Sequence, residues 1–155
     1  MSNSKSVFDD TLNLKKNSVV FHEGDGSTFM YLVKTGKVAI VKEDGKRVVL
    51  ISVIGAQSLI GESSVFADTK RSASAVAIEP SELLAVKFTD VRKVIKDCPD
   101  WVGELMRTLM DRLHGVSALL SEHNISSDSL EDQQLTDAQM KDVRKALEDY
   151  KNKRL

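Results

Sequence analysis

From Leu12 to Phe88 the chain is cut into short Val- and Ile-rich runs, with a turn signal every few residues. Val19–Phe21, Met30–Val33, Lys37–Val41, Val48–Val53, Ala73–Ile78 and Leu83–Phe88 each have the β-branched and aromatic content of a strand. Glu23-Gly24-Asp25, Gly36 and Asp44-Gly45 stand between them, at points where a hairpin needs positive φ. Short strands at this spacing cannot bury their apolar faces singly. They close into a sandwich or barrel.

The period changes at Thr89. Thr89 is placed to cap a helix through Lys96, with Val91, Val94 and Ile95 inward. Asp97-Cys98-Pro99-Asp100 interrupts it, and Asp100 is placed to cap the next helix. That longer helix carries Val102, Met106, Leu109, Leu113, Val116 and Leu120 at alternating spacings of four and three, the seam of a coiled coil. Such a stripe packs either on its own β-domain or on a second copy. Leu105 and Leu119 supply a further apolar face, so a homodimer through Val102–Leu120 is expected, with the remaining face against the β-domain. Asn124 to Gln134 is polar and serine-rich and reads as a linker. Thr136-Asp137-Ala138-Gln139 then has the form of a capping box for a last helix reaching Lys151, with Met140, Val143, Leu147 and Tyr150 as its apolar stripe. The chain's 155 residues suffice for one domain with a core and an appendage. The expected division is a polar segment 1–10 with a helical turn around Val7-Phe8, a domain 11–123 that includes the long helix, a linker 124–135 and a helical segment 136–155.

Gly61-Glu62-Ser63-Ser64-Val65-Phe66-Ala67-Asp68-Thr69-Lys70-Arg71-Ser72-Ala73 carries the chemistry. A short helical turn after Gly61 offers backbone N–H groups with no internal acceptor, a ready site for a phosphate. Arg71 adds a planar fork of donors that neutralises an anion. The Glu62 carboxylate beside the glycine accepts a sugar hydroxyl, which a site for bare phosphate does not require.

This segment resembles the phosphate-binding cassette of the cyclic-nucleotide-binding domain family, known from bacterial catabolite-activator-type regulators and the regulatory subunit of cAMP-dependent protein kinase. The likeness extends over residues 10–122 through the ordered glycines Gly24, Gly36 and Gly45, and through the helix pair that follows. It implies a mainly β fold of the α+β class. That fold is a jelly-roll-like β-roll of about eight antiparallel strands with flanking helices, a long C-terminal helix and a last short one. It implies cAMP or cGMP as ligand and no cofactor. The phosphate would sit on the amides of Gly61, Ser63 and Ser64, on Arg71 and on the Ser72 hydroxyl. The ribose would sit on Glu62 and the purine on Ser117 of the long helix. Ser63 and Ser64 stand where the family usually has an apolar and then a small residue, and Lys70 where it often has proline. The loop Gly55–Gly61 is longer than the family's.

Other functions are less well supplied. A formal charge of −1 gives no basic excess for nucleic acid. The stretch after Glu122 is short for the DNA-reading module of the family's activators, so a sensor without an attached output domain is expected. No apolar run spans a bilayer or serves as a signal peptide, and Cys98 stands alone, which fits a reducing cytoplasm. His22, His114 and His123 lack metal-ligand spacing, and no serine sits in a nucleophile elbow, so neither a metal site nor an enzyme is expected. The resulting reading is a cytoplasmic cyclic-nucleotide sensor that signals to an unidentified protein partner, independent of membrane and nucleic acid. Two alternatives stand beside it: a binding-incompetent adaptor kept for dimerisation, and a pocket for a cyclic dinucleotide.

Overall fold

The strand candidates pair into two four-stranded antiparallel sheets in the computed structural model, which describes residues 10–65, 69–122 and 134–155. The strands are β1 (Asp10–Leu14), β2 (Val19–Phe21), β3 (Phe29–Thr35), β4 (Val38–Asp44), β5 (Arg47–Ile54), β6 (Ser58–Ile60), β7 (Ser74–Ala77) and β8 (Ser81–Lys87). One sheet runs β1-β8-β3-β6 and the other β2-β7-β4-β5. Helices α1 (Phe88–Lys96), α2 (Asp100–Glu122) and α3 (Asp137–Asn152) follow. This is the mainly β roll with flanking helices that the resemblance implied.

The chain buries two separate apolar layers. Phe21, Val33, Val38, Ile60, Ala75 and Leu83 meet between the sheets. Ala39, Val41, Val76 and Ile78 face the other way and meet Val143, Ala146 and Leu147 of α3. Val38-Ala39-Ile40-Val41 and Ala75-Val76-Ala77-Ile78 are therefore apolar without alternation, because both faces of β4 and β7 are covered. α3 starts as its sequence requires: the Gln139 amide donates to Thr136 Oγ1 at 3.2 Å and the Thr136 amide to Gln139 Oε1 at 2.9 Å.

Several local expectations are corrected. β1 pairs with β8 (Leu12 opposite Leu83), although the runs named above begin only at Val19. β6 lies within the presumed loop Gly55–Gly61, held by β3 with Tyr31 opposite Ile60. Three residues are too few to show an alternation, so its partner strand defines it. α1 begins at Phe88 with Lys87 in the N-cap position and no side-chain cap, so Thr89 is a first-turn residue and Phe88 no longer part of a strand. Asp100 likewise lies inside the first turn of α2. Val94 is exposed rather than inward. Along α2, Trp101, Leu105, Met106, Leu109 and Leu113 are all exposed, so these positions do not pack on their own roll. Gly36 is fixed by both backbone and space. Its φ is +89° and a Cβ there would lie 2.6 Å from the Pro80 carbonyl oxygen.

The turn around Val7-Phe8, His123 and residues 124–133 of the linker lie outside the described residues, as do the side chains of His114, Val116, Ser117, Leu119 and Leu120.

Candidate phosphate site

Gly61 ends β6 and opens a single 3-10 turn, Glu62–Ser64, with φ 77° and no side-chain cap. The first amide of this turn with an internal acceptor is that of Val65, which donates to the Glu62 carbonyl at 3.0 Å. The amides of Glu62, Ser63 and Ser64 thus have no acceptor inside the turn. Glu62 and Ser63 are half-buried, and Ser64 is buried. The left-handed φ of Gly61 favours glycine, and a Cβ there would stand 2.5 Å from Arg71 Nη1 and displace the guanidinium.

Arg71 is the unusual group. Its residue is 5% exposed, although it carries a permanent charge. Nη1 donates to the Gly61 carbonyl at 3.1 Å and Nη2 to the Phe29 carbonyl. The guanidinium lies 4.1 Å over the Phe21 ring and 5.9 Å from that of Phe88. Its Nε is buried and has no hydrogen-bond partner. Burial pulls the Arg71 pKa down, against the opposing fields of Tyr31, Asp25 and Glu62. No described carboxylate forms an ion pair with it. A buried cation held only by carbonyls and π faces is costly. An anion at the mouth of the turn would offset that cost.

The surroundings fix this arginine from several directions. Phe21 stacks on Tyr31 with centroids 6.2 Å apart, and Phe29 on Tyr31 at 6.5 Å. Burial pushes the Tyr31 hydroxyl up, with the Arg71 cation opposing. The Arg71 amide donates to the Asp25 carbonyl at 2.9 Å, and the Gly24 amide to the Arg71 carbonyl at 2.8 Å. From α1, Arg92 Nε donates to the Val65 carbonyl at 2.9 Å. The turn, the arginine and the first helix therefore share one set of contacts.

Of the residues expected from sequence, Gly61, Glu62, Ser63, Ser64 and Arg71 come together in this cluster. Ser72 follows Arg71 but is exposed. Ser117 lies on α2, and the position of its side chain is outside the described set. Sequence reasoning did not single out Phe21, Tyr31, Phe88 or Arg92. The inward alternation of Tyr31 with Val33 was the signal available for one of them, while the others depend on tertiary approach. Asp25, a turn residue by sequence, also holds an ion pair. Burial pushes its carboxyl up, but hydrogen bonds from Arg154, the His22 amide and Tyr150 outweigh that and hold it below the ordinary value of 3.8.

Comparison with known proteins places this chain among relatives. The sequence profile of the family described as cyclic nucleotide-binding domain matches residues 11–98. The cyclic AMP receptor protein of Thermus thermophilus is 36% identical over 95 residues, which are 61% of this chain and 44% of that protein. A CRP-like cAMP-activated global transcriptional regulator of Mycobacterium tuberculosis is 28% identical over 113 residues, 72% of this chain and 50% of the relative. The chain thus spans about half the length of these curated relatives. Among solved structures, the Thermus thermophilus catabolite activator protein superposes with a TM-score of 0.64 at 31% identity, over 77% of this chain and 56% of the other. The cAMP-bound form of the EAL enzyme Bd1971 gives 0.63 at 26% identity, over 74% and 31%. Its cGMP-bound form gives 0.61 at 28% identity, over 67% and 28%. The profile match extends from β1 to just past α1, a range that includes both the 3-10 turn and Arg71; the chain belongs to the cyclic nucleotide-binding domain family.

Proposed function

We propose that this chain binds a purine cyclic nucleotide, cAMP or cGMP, at Gly61–Ser64 and Arg71, and relays its presence to a partner protein. One observation carries the reading: Arg71 is buried, its Nε has no partner, and the uncapped turn beside it leaves amides free. A cyclic phosphate supplies the missing negative charge. Its exocyclic oxygens accept from the amides of Ser63 and Ser64 and from the guanidinium, and the exposed Ser72 hydroxyl closes over it. Among the described residues no donor pairs with the Glu62 carboxylate, which suits it to the ribose 2′-hydroxyl. Relatives solved with cAMP and with cGMP support the class and leave the base open.

Two contacts support a relay. Phe88, the first residue of α1, lies near the guanidinium, and Arg92 holds the carbonyl at the end of the turn. An anion that draws Arg71 toward the turn alters both, and α1 carries the change to α2. The ligand acts only to the extent that it binds the two helix positions differently. The exposed apolar residues of α2 through Leu113 support a homodimer there, with Ser117 against the purine. In this scheme residues 11–123 sense and 136–155 signal. The chain's match is to a binding domain, and no catalytic role is assigned.

A second reading has its own support. Arg71 already satisfies two of its donors internally, and two clefts of the molecule lie along α3. An adaptor that binds no nucleotide would have these features. Calorimetric titration of the purified chain with cAMP, cGMP and a cyclic dinucleotide separates the readings. The sensor predicts saturable heat with a mononucleotide, and the adaptor predicts none with any ligand.

A further inference from the structure

We infer that the outer face of the β2-β7-β4-β5 sheet is a helix-binding groove, held in cis by α3 and open to exchange with a partner protein's amphipathic helix of the same chemistry. The groove floor is Ala39, Val41, Val76 and Ile78, all buried beneath Val143, Ala146 and Leu147. Its far end is polar and acidic. Asp25 Oδ2 accepts from the Tyr150 hydroxyl at 3.3 Å, Asp25 Oδ1 accepts from Arg154, and Lys151 Nζ stands 2.7 Å from Glu43 Oε1. The His22 ring stacks on Tyr150 with centroids 6.0 Å apart. The sheet therefore reads three features of a helix: small and branched apolar residues three or four apart, a tyrosine one turn on, and a basic final turn. Basic residues there also suit the helix dipole. These define the partner.

Three observations favour exchange over a permanent layer. Only three side chains of the 16-residue helix are buried. Its clasp is made of cations that stay largely in water, with Lys151 44% and Arg154 57% exposed, and such pairs contribute little each. Clefts of about 480 Å³ beside Asn17–Val19 and about 380 Å³ beside His22 flank the helix and leave its edges open to solvent. The clasp residue Asp25 also accepts the Arg71 amide through its carbonyl, so this surface adjoins the arginine of the proposed ligand site. The inference deepens the relay reading by naming its output surface, and it rests on that reading for its purpose only.

The test uses the full chain and a fluorescent peptide of residues 134–155, without nucleotide, so its failure leaves the ligand reading standing. In the Arg154→Glu chain the resident helix meets Asp25 with like charge, whereas the added peptide keeps its arginine. The peptide should bind this variant about tenfold or more tighter than the wild-type chain, and a Leu147→Asp peptide should bind neither. A Tyr150→Phe chain, which loses one hydroxyl only, should fall between the two. Failure of the peptide to bind either variant at high micromolar concentration would overturn the proposal and make α3 a fixed layer. Self-association of the wild-type chain that the peptide competes away would overturn the partner instead, giving the groove to α3 of a second copy.

Discussion

Arg71 carries a conflict between stability and binding. Its charge lies under Phe21 and Phe88 with one donor unpaired. Replacing a buried charge by an apolar side chain of similar reach is often neutral or stabilising. Arg71→Met should therefore melt at or above the wild-type temperature without ligand. The same change should cost nucleotide affinity about 2–5 kcal/mol, roughly 30-fold to several thousand-fold. Melting curves and calorimetry on one preparation check both halves. Glu62 makes a finer prediction: Glu62→Gln should weaken a ligand with a 2′-hydroxyl while barely changing its 2′-deoxy analogue. Equal losses for the two ligands would reduce Glu62 to a support of the turn. At this scale the site was legible where spacing alone defines it, as with Gly61, Glu62 and Arg71. It was illegible where distant segments converge: nothing in the sequence near Arg71 announces that Phe21 and Phe88 cover it, or that Asp25 holds its amide.

Among the elements, α3 followed its sequence closely because its signals are local. The Thr136–Gln139 capping box and the Val143–Leu147 spacing both lie within the helix that they specify. β1 and β6 were missed because their existence depends on partners, β8 and β3, far along the chain. α1 gave a mixed result: Lys96 ends it as expected, but Phe88 extends it by packing under the roll, which displaces Thr89 from the cap. The exposed stripe on α2 predicts assembly. Leu113→Glu would bury an unpaired carboxylate in any dimer made there, so light scattering should show the dimer of the wild type shifting to monomer. A wild type that is already monomeric at tens of micromolar would remove α2 from signalling by dimerisation. The α3 clasp predicts a pH effect. The folded pKa of Asp25 is held below 3.8 by Arg154, the His22 amide and Tyr150, against the upward push of burial. Its contribution is thus present above about pH 4 and lost as pH falls through that lower folded value. The protection of α3 amides against hydrogen exchange, corrected for the intrinsic rate, should fall in this acid window, and Asp25→Asn should remove that step and show the lower protection already at neutral pH.

At the scale of the whole molecule, two apolar layers share one sheet. The inner layer closes the roll around Arg71, and the outer one seats α3 on the back of β4 and β7. In the proposed relay, a change at the arginine has two short routes outward. One passes through Phe88 and Arg92 to α1, and the other through Asp25 to the end of α3. Both routes require that the buried guanidinium itself receives the ligand. The direct measurement is the nitrogen-15 signal of the Arg71 Nε–H group, assigned by its loss in Arg71→Met and followed during titration with cAMP and with cGMP. This account predicts that the signal moves to a hydrogen-bonded position and saturates at one nucleotide per chain. A signal that stays in place at saturating concentrations of both nucleotides, in a chain that remains folded, would contradict it.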